Sequence, residues 1–202
     1  LIKSMCDIID YRGPDDSGVY LDGHIGLGHR RLSILDLSKL GHQPMSSGDK
    51  SIWITYNGEI YNFQSLKKNL MLKGYTFSSH CDTEVIIYLY QGYGEDCLKH
   101  LRGMFAFAIW DRNKETLFLA RDRIGKKPLF YYFDGKTFLF ASEIKSIFKD
   151  KTLKREINFE AFYDYFKYLY VPDPKTIYKN TNKLEPGHYM VLSKDGIRKN
   201  EY

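Results

Sequence analysis

Met104-Phe105-Ala106-Phe107-Ala108-Ile109-Trp110, then Asp111-Arg112-Asn113-Lys114-Glu115, then Thr116-Leu117-Phe118-Leu119-Ala120-Arg121, is the stretch that decides the fold of this chain. The first run is apolar at nearly every position, as a strand covered on both faces should be. The charged middle reads as a turn and the third run as a returning strand. Toward the C-terminus, Leu129-Phe130-Tyr131-Tyr132-Phe133, the turn Asp134-Gly135-Lys136 and Thr137-Phe138-Leu139-Phe140-Ala141 repeat the hairpin pattern. Toward the N-terminus, Ile52-Trp53-Ile54-Thr55-Tyr56 is strand-like and stops at Asn57-Gly58, the commonest tight hairpin turn.

Helical spacing appears between these strands. Phe63, Leu66 and Leu70 share a face, with Asn62 as N-cap and Gly74 as stop. A second helix starts at Asp82-Thr83-Glu84-Val85, is carried by Val85, Ile86, Leu89 and Tyr90, and closes at Gly92 or Gly94; Glu95 to Leu101 suits a short third. Further helices are expected at Glu143 to Phe148 and Asn158 to Leu169. Hairpins grouped with helices in this way predict an α+β fold with antiparallel sheet, not a doubly wound parallel one. In the tail, Val171-Pro172-Asp173-Pro174 and Leu184-Glu185-Pro186-Gly187 break the chain, and Tyr189-Met190-Val191-Leu192 reads as a last strand.

The 202 residues suffice for a substantial core, and 43% hydrophobic with 27% charged residues is an ordinary globular composition. The 17 Tyr and 13 Phe favour strands where they alternate. The net charge of +5 is scattered, and its densest run, Lys149 to Arg155, is a polar connector, so no nucleic-acid partner is expected. Cys6, Cys81 and Cys97 form neither a disulfide framework nor a metal site, and they suit a reducing, cytoplasmic setting with no membrane association.

Five clusters carry chemistry. Arg12-Gly13-Pro14-Asp15-Asp16-Ser17-Gly18 has turn composition, with a loop bordering a site as its alternative. In Gly28-His29-Arg30-Arg31-Leu32-Ser33-Ile34, an Arg within an apolar run requires an anion, either a ligand carboxylate or an internal acid. Asn57-Gly58-Glu59 is a turn or, alternatively, an oxyanion hole made of the Asn57 amide and the Gly58 N–H. In His80-Cys81-Asp82, sequence neighbours do not make a catalytic triad; Cys81 reads as a packed thiol, and Asp82 as a helix N-cap that also offers its carboxylate to a ligand amine. Arg121 to Leu129 is a charged strand end whose glycine spacing matches neither a P-loop nor a dinucleotide loop.

The order of these clusters, continued by Gly103-Met104-Phe105-Ala106-Phe107-Ala108, Ala141-Ser142-Glu143, Val171-Pro172 and Pro186-Gly187, resembles the class II glutamine amidotransferases. Within them it resembles the glutaminase domain of asparagine synthetases over essentially the whole chain. The resemblance implies an N-terminal nucleophile hydrolase fold, an αββα sandwich of two antiparallel sheets. It implies that Arg31 grips the glutamine carboxylate, with Leu32, Ser33 and Ile34 lining the pocket. Asn57 and Gly58 would form the oxyanion hole, and Glu59 and Asp82 would hold the α-amino end.

Members of that family begin with Cys-Gly-Ile on an apolar strand, the α-amine of the Cys serving as base. This chain begins inside the helix that follows, so the nucleophile is expected to be absent, Cys6 is no substitute, and one sheet is expected to lack its first strand. Residues 1–202 are expected to form one glutaminase domain, 155–202 being its C-terminal helix and hairpin leading to a synthetase domain. The expected whole is an asparagine synthetase that uses glutamine-derived ammonia to amidate aspartate, with ATP and Mg bound only in the synthetase domain and a homodimer left open. The alternatives are a non-catalytic glutamine-binding or scaffold module and an amidotransferase for another acceptor.

Overall fold

Strict alternation along β5 (Gly103–Asp111) divides the protein into two cores. The computed structural model describes residues 1–202. Phe105, Phe107 and Ile109 point to one side of the strand and Ala106, Ala108 and Trp110 to the other, and both sets are buried. β5 is central in a six-stranded antiparallel sheet that also contains β3 (Met45–Ser46), β4 (Ile52–Ile60), β6 (Thr116–Arg121), β10 (His188–Ser193) and β11 (Gly196–Glu201). Its order is β11-β10-β6-β5-β4-β3.

On the phenylalanine side lie α2 (Phe63–Leu72) and α3 (Asp82–Tyr93), which contribute Leu66, Leu70, Val85, Ile86 and Leu89 to the larger core. On the alanine side lies a second sheet layer in two pieces. One is the hairpin of β1 (Asp16–Asp22) and β2 (Ile25–Arg31); the other has the order β8-β7-β9, from β7 (Phe130–Phe133), β8 (Phe138–Ala141) and β9 (Thr181–Lys183). Leu27, Leu129, Leu184 and Phe140 meet Ala106, Ala108, Leu117 and Leu119 to form the second core. Short helices α1 (Ile2–Asp7) and α4 (Ile144–Ile147) cover the outside of that layer. The layering is therefore αββα, as the resemblance implied. The second sheet is interrupted between β2 and β8, neither of which has a strand on its outer edge.

Two expectations need correction and a third is refined. Asn57-Gly58 is not a turn: β4 runs on to Ile60, with Asn57 paired to Ala106 and Gly58 to Phe105. Close strand approach explains the glycine, because a Cβ on Gly58 would lie 2.2 Å from the Met104 carbonyl oxygen. Asn62 does hold the N-cap position of α2, but its side chain makes no capping hydrogen bond. That amide instead donates to the His100 carbonyl at 3.0 Å and accepts from the Arg102 N–H at 3.0 Å, fixing the entry to β5. The run at Tyr189–Leu192 is not the last strand, since β11 pairs with it from His188↔Glu201 to Ser193↔Gly196. β11 is a polar edge strand and so carries no hydrophobic signal. α5 (Phe159–Tyr168) lies apart from both cores, and no helix is long and apolar enough to cross a membrane.

Candidate active site

A cleft of about 820 Å³ occupies the interruption in the second sheet layer. Consecutive residues of β8, Phe138 to Ala141, form one wall and most of β2 forms the other. β8 pairs only with β7 and β2 only with β1, so each turns an unpaired backbone edge toward the cleft. The floor is Ala106, Phe107 and Ala108 of β5. Seven of the eight sequence-predicted site residues line this cleft: Arg31, Leu32, Ile34, Asn57, Gly58, Glu59 and Asp82. Ser33 does not, because its N–H is held by the Asp15 carboxylate at 2.7 Å.

Arg31 is buried at the end of β2, 8% exposed, and makes no ion pair. Its guanidinium donates to the carbonyls of Ser38 (3.0 Å), Leu35 (3.4 Å) and Asp36. Carbonyl dipoles solvate this charge, and Asp16, its cross-strand partner on β1, acts on it electrostatically without forming an ion pair, so the guanidinium can still accept a direct anionic partner. Arg121 shows the contrast. It is equally buried, but it donates to the carbonyls of Lys127, Leu184 and Gly125 and also pairs with Asp173 at 3.2 Å. Arg121 is thus a completed structural ion, whereas Arg31 is not.

β4 supplies the next groups through its pleat and its open edge. Trp53, Thr55, Asn57 and Glu59 alternate toward the second layer. Thr55 donates to the Gly28 carbonyl at 3.1 Å and contacts His29 Nδ1 at 3.2 Å, tying β4 to β2. The ladder with β5 runs through the odd-numbered residues, from Arg112 N–H to the Ser51 carbonyl and from Tyr61 N–H to the Arg102 carbonyl. The amides of Tyr56, Gly58 and Ile60 therefore face the opposite edge, beyond the start of β3 at Met45, which is paired with Ile54. Tyr56 N–H donates to Gln43 Oε1 at 2.7 Å and Ile60 N–H to Asp82 Oδ2 at 2.8 Å. The Gly58 amide faces the same edge between these two, with no strand opposite it. Here sequence reasoning missed Gln43, which is buried and cleft-lining, because nothing in its neighbourhood marks it as more than a loop residue.

Asp82 differs from its expected role as an N-cap. Cys81 holds that position, and Asp82 is the first helical residue. Its carboxylate turns to β4, accepting from the Tyr56 hydroxyl at 2.7 Å as well as from Ile60. Burial raises its pKa, with the Tyr56 and Ile60 bonds and the amides of the first helical turn pulling back. Glu59, on the same cleft, takes part in no ion pair. The site thus gathers one buried cation without an acid, two carboxylates, an amide side chain and an open backbone donor.

The Arg12–Gly18 motif is more than a turn. From Asp16 it is strand β1, and its acids reach across to the segment that follows β2. Asp15 holds Ser33, while Asp16 pairs with His42 at 2.7 Å. Burial works against ionisation of Asp16, but the His42 and Ser17 bonds outweigh it and its pKa falls. A Cβ on Gly41 would lie 2.0 Å from Arg31 Nη2, so the loop can wrap the guanidinium only with glycine there. His29, between Thr55 and Arg31, is pushed down to about 4 by burial and then by the Arg31 charge, so it is neutral at physiological pH.

Cys6 and Cys81 line the cleft and Cys97 does not, and each of the three thiols is packed. Cys6 packs against Gly28, where a Cβ would come within 2.5 Å of its sulfur, and burial followed by the Asp7 charge raises its pKa. Cys81 is a core residue 3.0 Å from Ser79 Oγ, and Cys97 is fully buried with its pKa also raised by burial. Asp122, fully buried, accepts the N–H groups of Phe105, Ile124, Lys126 and Lys127, so the Arg121–Leu129 segment is a structural turn.

Residues 1–202 match the family model described as a glutamine amidotransferase domain. The chain belongs to that family. This amidotransferase domain is 44% identical to asparagine synthetase [glutamine-hydrolyzing] 1 of Bacillus subtilis, a match covering 97% of the chain and 31% of that protein. It is also 44% identical to a putative asparagine synthetase [glutamine-hydrolyzing] 2 of Methanocaldococcus jannaschii, covering 100% of the chain and 43% of that protein. The domain thus spans 31% and 43% of the length of these two relatives. Among solved structures it superposes on the glutamine phosphoribosylpyrophosphate amidotransferase of B. subtilis with a TM-score of 0.62 at 22% identity, covering 87% of this chain and 34% of that one. That likeness establishes a common fold.

Proposed function

We propose that this domain binds L-glutamine in the cleft and releases its amide nitrogen as ammonia for an asparagine synthetase. The reading rests on one observation: the charges left unmet in the cleft are the complement of a zwitterionic amino acid with an amide side chain. Arg31 takes the α-carboxylate in place of the acid it lacks, and Glu59 and Asp82 take the α-ammonium. The Asn57 amide and the Gly58 N–H are the donors for the oxyanion that develops when the side-chain carbonyl is attacked. As donors fixed in β4, they need no reorganisation during the reaction. Ammonia leaves the tetrahedral intermediate, and water then hydrolyses the acyl-enzyme to glutamate.

The nucleophile in this reading is a Cys on an apolar strand lying in the slot between β2 and β8, where both open edges offer backbone partners. Its α-amine, with an ordinary pKa of about 7.7–8.0, is suited to act as the base. The relatives named for glutamine hydrolysis at 44% identity support this assignment and support aspartate as acceptor. ATP and Mg enter only at a separate synthetase domain. The test is calorimetric titration of L-glutamine into the domain and into Arg31→Ala. One-to-one binding that the variant loses supports the reading. Binding that survives Arg31→Ala removes the carboxylate clamp, and no binding to the parent removes the glutamine site.

A further inference from the structure

Helix α5 is amphipathic the wrong way round for the domain that carries it. Phe159, Phe162, Tyr163 and Phe166 stand at positions i, i+3, i+4 and i+7 along one stripe, and Tyr170 follows just beyond the left-handed cap at Leu169. They are 67, 42, 74, 66 and 60% exposed. The residue turned inward is Ala161, the only buried side chain of the helix. What fastens the helix is polar: Lys175 bridges Glu160 at 3.0 Å and Asp164 at 2.5 Å, and Asn158 accepts the Ala161 N–H at 3.2 Å. The stripe is preformed, with Phe162 and Phe166 edge to face at 4.9 Å between centroids.

We infer that this stripe docks onto an apolar surface of a further domain of the same polypeptide. Five aromatic side chains of about 150–250 Å² each, exposed to this degree, offer roughly 600 Å². Two free partners meeting through such a stripe reach only the lower limit of a specific interface, about 1,200 Å² in total, and must also offset the loss of translational freedom. Domains of one chain meet no such cost, and an interface of this size is ordinary between them. The relatives have room for such a domain, since this chain spans only 31% and 43% of their lengths. A lipid surface fits poorly, because α5 carries Glu160 and Asp164 against a single Lys167 and has no basic face.

The inference rests on the reading that the chain works as one domain of a longer synthetase, and its test does not depend on catalysis. Amide hydrogen exchange is measured on the natural full-length polypeptide and on the 202-residue chain. The expected result is at least about tenfold slower exchange across residues 159–168 in the full-length protein. Tyr163→Glu with Phe166→Glu should abolish that difference while leaving the melting temperature of the isolated chain unchanged, since both side chains are exposed. Equal exchange in the two proteins, a natural polypeptide with no further domain, or concentration-dependent dimerisation of the 202-residue chain through α5 would each overturn the inference. Protection of α5 in a protein that fails to bind glutamine would leave the docking intact and remove only the functional reading.

Discussion

Substitution of Asp82 separates ligand recognition from folding. Its carboxylate, 4% exposed, accepts the Tyr56 hydroxyl at 2.7 Å and the Ile60 N–H at 2.8 Å. Asp82→Ala leaves two buried donors without an acceptor, at about 1–3 kcal/mol each. Relief of the desolvation recorded in the raised pKa offsets part of this, so the expected net loss is about 2–4 kcal/mol. Asp82→Asn keeps an oxygen for both donors and should cost no more than about 1 kcal/mol. Glutamine affinity should respond differently, because both variants lose the negative charge facing the α-ammonium. A charge-assisted contact of about 2–3 kcal/mol corresponds to a Kd weakened roughly 30- to 150-fold. Urea unfolding reads the first quantity and calorimetric titration of L-glutamine the second. If Asp82→Asn binds glutamine within about threefold of the parent, Asp82 is only a strut between α3 and β4 and the reasoning fails.

Other positions give independent tests. Gly41→Ala, whose Cβ would meet the movable end of Arg31, should change stability by under about 1.5 kcal/mol yet weaken glutamine binding, as titration and urea unfolding would show. Gly58→Ala instead meets the Met104 carbonyl and Phe105 Cα, which cannot swing aside, and should lower stability by about 1–3 kcal/mol or more in urea. His29 is neutral when folded and protonates near 6.5 when unfolded, so its contribution of up to about 3 kcal/mol is complete above pH 6.5 and is lost as pH falls toward 4. His29→Gln should flatten that limb of a stability–pH curve; the raised Asp82 pKa acts with the opposite sign and does not account for it.

The strongest sequence signals came from residues whose burial follows a simple period. β5, β6 and the β7–β8 hairpin were legible because alternating or continuous apolar runs leave no other economical arrangement, and α3 because Val85, Ile86, Leu89 and Tyr90 recur at helical spacing. β1 and β2 were not. Gly26 and Gly28 face α1, where a Cβ would collide with Ile2 or Cys6, so the strand lacks the side chains that would mark it. Asn57-Gly58 misleads for a related reason: the dipeptide that commonly turns a chain here admits the close approach of β5. The residue that obscured the strand also lines the cleft. Arg31 was legible as a charge in need of an anion, but only the contrast with Arg121 distinguishes an unmet demand from one already satisfied within the protein. Gln43 acts through contacts with the distant Tyr56 and Thr83, and the carbonyls of Leu35, Asp36 and Ser38 that wrap Arg31, though close in sequence, are backbone groups that leave no side-chain mark.

Glutamate release by the domain carrying a Cys-Gly-Ile-initiated apolar strand joined before Leu1 tests the central claim most directly. The account predicts slowed exchange of the β2 and β8 amides, conversion of L-glutamine to equimolar glutamate and ammonia, and a loss on Asn57→Ala that falls on turnover more than on binding. Protection of both strand edges with no glutamate formed would contradict it, because the slot would then be filled, the nucleophile present, and the cleft still unable to hydrolyse glutamine.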